Sequence, residues 1–191
     1  MKSNEFFKLI FNPFTRIAGW QAFIVGLAIL VLSGIIGAIG NVIFDGIIDM
    51  HLVKEVNLQQ SFYYLLISMT TLVVIMWITG LIISRGFRFI DIAGTMTLSK
   101  APVLLMAIAG LFTEAPDMTL MLKDPLAIVT STSFLITITL SIPVTIWSVA
   151  LMYNALKVSC DAKGIKLTIS FIIAILTSEV ISKILIFKLI H

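Results

Sequence analysis

Residues 17–44, IAGWQAFIVGLAILVLSGIIGAIGNVIF, run from Ile17 to Phe44 without one charged side chain. A helix crossing the roughly 30 Å hydrocarbon layer of a bilayer needs about 20 mostly apolar residues. This stretch is long enough to cross with some tilt. It carries Gly26, Gly34, Gly37 and Gly40, with small residues four apart at Ala22/Gly26 and Ser33/Gly37. Small side chains let helix backbones approach closely in lipid. The glycines are therefore expected to mark packing faces, within the chain in preference to a second copy.

Working outward, the pattern recurs. Val56 to Ser84 is charge-free, with Tyr63, Tyr64 and Trp77 near its ends, as interfacial aromatics tend to lie. A basic turn, Arg85-Gly86-Phe87-Arg88, leads to a third run from about Phe89 to Thr113 that Lys100 and Pro102 interrupt. Pro125 to Leu156 is charge-free and contains Pro143, and Leu167 to Phe187 forms the last run. The reading is an all-α polytopic membrane protein, a bundle of five transmembrane helices at about 17–44, 59–84, 89–113, 130–156 and 167–187. Pro102 and Pro143 are expected to kink their helices, because proline removes a backbone donor. Residues 17–191 form one domain; residues 1–16, where Lys2, Glu5, Lys8 and Arg16 alternate with Phe6, Phe7, Leu9, Ile10, Phe11 and Phe14, read as an amphipathic segment at the interface. No cleavable signal peptide is expected, and the first span would serve as an uncleaved anchor.

Composition agrees. The chain has 191 residues, 59% hydrophobic and 12% charged, where soluble domains carry about 25% charged residues. The net charge of +3 includes no basic run interleaved with aromatics, which sets nucleic acid aside. One cysteine, Cys160, precludes an intramolecular disulfide, and two histidines, His51 and His191, fall short of a metal-binding pattern. No nucleophile–base set, zinc-protease motif or Gly-rich phosphate loop occurs, so neither catalysis nor a cofactor is expected.

Charge also orients the chain. Lys2, Lys8, Arg16, Arg85, Arg88, Lys157, Lys163 and Lys166 fall on one side; Lys54, Lys123 and Lys188 fall on the other, with Asp45, Asp49, Glu55, Glu114, Asp117 and Asp124. Basic residues accumulate on the cytoplasmic side. The N-terminus is expected inside and the C-terminus outside, in a bacterial inner membrane. Arg85, Arg88 and Asp91 form a charge cluster at the cytoplasmic edge.

Three charges interrupt the spans: Lys100, Glu179 and Lys183. A charge at bilayer depth costs a few kcal/mol on insertion scales, so it finds a partner, a cavity or a route to the interface. Lys100 and Glu179 lie at depths about 6 Å apart at 1.5 Å per residue, within reach of a lysine side chain. A direct ion pair between spans three and five is expected, which a charge swap would partly restore. Glu179 and Lys183 are also neighbours four residues apart, in the favoured order. The group is read as structural, with a hydrated pathway as the alternative.

Several segments carry a family resemblance: Asn12-Pro13-Phe14-Thr15 before span one; Asp91-Ile92-Ala93-Gly94-Thr95 and Ser99-Lys100-Ala101-Pro102 in span three; and Ile142-Pro143-Val144 through Tyr153-Asn154-Ala155-Leu156-Lys157 in span four. With the five-span layout they make the chain resemble a bacterial member of the Yip (Ypt-interacting-protein domain) family over most of its length. The resemblance implies five spans with the N-terminus inside. Eukaryotic members associate with prenylated small GTPases and with one another, and carry a longer cytosolic N-terminal region with a DLYGP-like motif. This sequence holds no such motif, so a GTPase partner is not carried over, and no family functional residue maps onto it. The resulting expectation is a non-enzymatic membrane-organisation or complex-partner protein, associating with the bilayer and with a membrane protein or a second copy. The alternative is a small transporter or channel component that uses Lys100, Glu179 and Lys183.

Overall fold

A computed structural model describes residues 8–115 and 132–190. The expected N-terminal segment before Lys8, the acids Asp117 and Asp124, Lys123 and the beginning of span four before Thr132 lie outside the described residues. Among those described, five helical segments are long and apolar enough to cross a membrane. They are α1 (Gly19–Ile39), α2 (Leu58–Ile83), the broken pair α3 (Phe89–Ser99) and α4 (Val103–Gly110), α5 (Thr132–Ser159) and α6 (Gly164–Ile190). Strands β1 (Val42–Ile43) and β2 (His51–Leu52) pair antiparallel in the α1–α2 loop, Val42 opposite Leu52 and Ile43 opposite His51.

The broken segment α3–α4 sits at the centre. In its most apolar window 72% of residues are buried, against at most 39% in the other four spans. It packs against α1 on one side and α5 on the other, while α6 packs mainly on α2 and touches α5 only lightly. The α1–α3 contact is close because neither helix presents bulk: a side chain at Gly26 would meet the Leu98 backbone, and one at Gly94 would meet the Gly19 carbonyl. Gly34 abuts Phe62 and Leu65 of α2. At these positions the helices of one chain approach one another closely.

Pro102 breaks span three rather than merely bending it. Proline offers no N–H and disfavours helix in the residue before it. Around it the backbone tightens to three-residue bonds, Ala101 N–H to Leu98 O at 3.0 Å and Val103 N–H to Lys100 O at 3.0 Å. Pro143, by contrast, lies inside α5, which is helical on both sides of it.

Two ends differ from the sequence reading. Span one stops at Ile39, not Phe44. Gly40 caps it, and Asn41 takes a left-handed conformation (φ 53°), which asparagine tolerates better than most residues. Its side chain accepts from Val56 N–H at 3.3 Å and its carbonyl from Val53 N–H at 2.9 Å, closing the loop's base. Asn57 and Gln60 then form a reciprocal cap that starts α2. Span four extends to Ser159, so Lys157 lies within the helix and Cys160 caps it, buried beside Gly80, not exposed in a loop. Burial pushes the Cys160 thiol up to about 11.

The end of the bundle that carries the N-terminal segment is tied together by hydrogen bonds. Trp147 Nε1 and Asn154 Nδ2 donate to the Ile10 and Phe11 carbonyls, each at 2.9 Å, and Phe14 is buried. Ser84 Oγ donates to the Cys160 carbonyl at 2.6 Å. Residues 8–16 thus dock on α5 as part of the fold.

Candidate functional site

The α1–α2 loop does not lie over the end of the bundle; its tip enters it. Phe44 and Ile47 are 2% and 1% exposed. Gly37 makes room for the Phe44 ring, and Gly110 makes room for Val42. The loop carries seven large apolar side chains between Val42 and Leu52: Val42, Ile43, Phe44, Ile47, Ile48, Met50 and Leu52. Burying any of them removes apolar area from water at about 25 cal/mol per Å2.

Turning the tip inward brings backbone polar groups to a depth where they need partners. Lys100 and Glu179 supply them. Lys100 Nζ, on the break between α3 and α4, donates to the Ile47 carbonyl at 2.5 Å. Glu179 Oε2, on α6, accepts from Ile47 N–H at 2.6 Å and Ile48 N–H at 3.1 Å. One peptide segment is therefore gripped by a cation at its carbonyl and by an anion at its amides. Lys183, one turn beyond Glu179, contacts Asp49 at 2.5 Å and Glu179 Oε1 at 3.7 Å.

This corrects the expected direct pair. Among the described residues Lys100 and Glu179 share no ion pair; the Ile47 peptide stands between them. Lys183 is met by Asp49 of the loop, both side chains being partly exposed. Hydropathy reads residues 45–55 as a polar loop, so the apolar tip that separates the two charges went unread.

Gly46 belongs to the same device. A Cβ there would fall on Glu179 Oε1 and lie 2.8 Å from Asp49 Cβ. Asp45 accepts from or faces His51 Nδ1 at 2.9 Å, and Asp49 lies 4.0 Å from His51 Nε2. Asp45, Asp49 and His51 bring one ligand atom each within 4.8 Å of one another, a grouping that two distant histidines did not reveal. Lys183 already supplies a positive charge to that trio. Burial raises the Asp49 carboxyl, but the Lys183 hydrogen bond, with the His51 and Lys183 charges, outweighs it and holds the group below its usual value.

At the opposite end, Arg88 donates to Asp91 from Nε at 3.1 Å and Nη2 at 3.0 Å. The hydrogen bond and charge of Asp91 raise Arg88 above its ordinary value. Asp91 also accepts from the Arg88 backbone N–H at 3.3 Å, capping α3. The expected cluster is thus an Arg88–Asp91 pair, with Arg85 exposed and outside it.

Comparison with protein-family models, with curated proteins and with solved structures finds no match to this chain.

Proposed function

We propose that this protein is a non-enzymatic, multi-pass integral membrane protein that acts through association in the bilayer, as a membrane-organisation or complex-partner protein of Yip-like layout. Its N-terminus lies in the cytoplasm of a bacterial cell and the α1–α2 loop faces outward, as the Lys/Arg distribution favours. One observation carries the reading. All three intramembrane charges are engaged in holding the chain's own loop, Lys100 and Glu179 on the Ile47 peptide and Lys183 on Asp49. Charges committed to backbone groups support a fixed architecture rather than a relay. The rest of the surface fits association in lipid: Trp20, Ile24, Ile82, Ile146, Ile173 and Phe187 are all exposed and apolar.

In-membrane crosslinking of the protein at native abundance tests this. The expected result is a defined crosslinked species, with a second copy or with another membrane protein. Recovery of the unpartnered monomer alone would overturn it.

A cavity beside the loop favours a second reading, a small transporter or channel component. It opens about 340 Å3 of space next to Asp49, His51 and the hydroxyls of α5. Purified protein in liposomes that moves no ion or solute over a broad panel would eliminate it.

A further inference from the structure

Two adjoining cavities lie between the loop tip and α5. The outer measures about 340 Å3 and the inner about 20 Å3. Ile48, Asp49, Met50, Met106 and Thr145 line both, so the two share a wall. The inner cavity ends on Lys100 and Ser148.

That inner end is rich in unused donors. The Lys100 ammonium has three N–H groups, and among the described residues its hydrogen bond goes to the Ile47 carbonyl. Ser148 is 5% exposed, and its hydroxyl is a buried group with no hydrogen-bond partner among the described residues. Other buried hydroxyls in these helices bond back to a carbonyl one turn earlier, as Ser33, Thr97 and Ser178 do. An unpaired buried hydroxyl costs about 1–3 kcal/mol. An oxygen acceptor in the inner cavity would remove that cost, and the space suits one atom: a water-sized group needs roughly 10–15 Å3 measured this way.

Charge narrows the acceptor. Lys183 meets Asp49 and Glu179, Asp45 faces His51, and Lys100 and Glu179 hold opposite ends of the Ile47 peptide, so the nearby cations already have acids to balance them. A carboxylate or phosphate would add uncompensated negative charge to a dry site. A hydroxyl or carbonyl oxygen would not. Behind that oxygen the outer cavity offers Met106, Phe134 and Ile138 as an apolar wall. The neighbouring outward residues of α5, Ile142 and Ile146, are exposed on a helix long enough to cross the membrane.

We propose that these cavities form a binding site for an uncharged single-chain amphipath drawn from the bilayer, its hydroxyl or carbonyl oxygen on Lys100 and Ser148 and its hydrocarbon chain in the outer cavity. The site goes beyond the association reading and does not depend on it.

The test uses the full chain in phosphatidylcholine vesicles, a long-chain alcohol carrying a mid-chain diazirine, and the fatty acid carrying the same diazirine. After irradiation, labelled peptides are mapped by mass spectrometry. The alcohol is expected to label peptides holding Met106 or Ile138 saturably, and more strongly than the acid. Ile138→Trp, which fills the outer cavity, should abolish that labelling. Ser148→Ala should raise the half-saturating concentration roughly fivefold to tenfold, as one lost hydrogen bond of about 1 kcal/mol does. Because Ser148→Ala removes an unpaired group, its thermal stability should stay at or above that of the parent, which separates loss of ligand from loss of fold. Labelling that fails to saturate, ignores Ile138→Trp, favours the acid or misses these peptides overturns the proposal, the last meaning that water alone fills the inner cavity.

Discussion

Gly46→Ala adds one methyl group and changes no charge, yet it strikes the grip on the loop directly. The new Cβ would fall on Glu179 Oε1, 2.8 Å from Asp49 Cβ and 3.0 Å from Glu179 Cδ, so the carboxylate must withdraw. It leaves behind the Ile47 and Ile48 amides, now held at 2.6 and 3.1 Å. A hydrogen bond to a charged group contributes about 1.5–3 kcal/mol. The carboxylate sits on a flexible side chain and keeps part of its contacts, so a loss of about 2–3 kcal/mol is expected. The opposing effect is small and of opposite sign. Gly46 has no positive φ, so alanine meets no backbone strain there and stiffens the unfolded chain by about 0.4–1 kcal/mol. Without the grip, Gly46→Ala would therefore stabilise the protein. The single cysteine, Cys160, provides the assay. It is 2% exposed with its thiol pushed up to about 11, so a fluorogenic maleimide reports it only on unfolding. The two effects leave a loss of about 1–2.6 kcal/mol, so at about 2–4 °C per kcal/mol for a domain of this size Tm should fall by roughly 2–10 °C. An unchanged or raised Tm would refute the contact between the Gly46 backbone and Glu179.

The charge swap gives a second test. In Lys100→Glu/Glu179→Lys, a carboxylate would face the Ile47 carbonyl and an ammonium would face two N–H groups. The double variant should accumulate no better than the worse single variant, and recovery would restore the direct ion pair in place of the shared peptide. Asp49→Asn should be mild, about 0–1 kcal/mol, because Asp49 and Lys183 are 38% and 44% exposed and water screens them. Its pH dependence has a definite sign. A carboxyl held below 3.8 in the fold stabilises above that value, and the contribution is lost as pH falls through the lowered folded value. The Asp49 contribution should therefore be flat between about pH 5 and pH 8 in urea or thermal titrations. A loss in that window that Asp49→Asn abolishes would contradict the assignment.

The helices were legible because a bilayer makes long charge-free runs nearly unambiguous. Five helices long and apolar enough to cross a membrane appear among the described residues, and span three is interrupted at Lys100 to Pro102. Gly26 and Gly34 also sit at helix contacts. Gly94 and Gly110 were not singled out, because a lone glycine does not announce which backbone approaches it. The loop was the main failure. Hydropathy joined Val42, Ile43 and Phe44 to span one, and three acids made the following residues look solvated. Two signals pointed the other way: Gly40-Asn41 ends a helix well, and Ile47-Ile48 is apolar in the middle of a supposed polar loop. Lys100, Glu179 and Lys183, read from the sequence as one charge group, all contact the loop or one another. Sequence reasoning pairs side chains with side chains, however, so it overlooked a backbone peptide as the partner of both Lys100 and Glu179.

Burial of the loop tip is the claim on which the account rests, and thiol access measures it directly. Ile47→Cys and, as a control, Glu55→Cys are each placed in a Cys160→Ser background and treated with a membrane-impermeant thiol reagent from each face of the membrane. Glu55 is exposed and Ile47 is 1% exposed. The account predicts prompt labelling at Glu55→Cys, protection at Ile47→Cys, and loss of that protection when Glu179→Gln is added. Labelling of Ile47→Cys as fast as the control would mean that the tip lies in water and that Lys100 and Glu179 do not hold it.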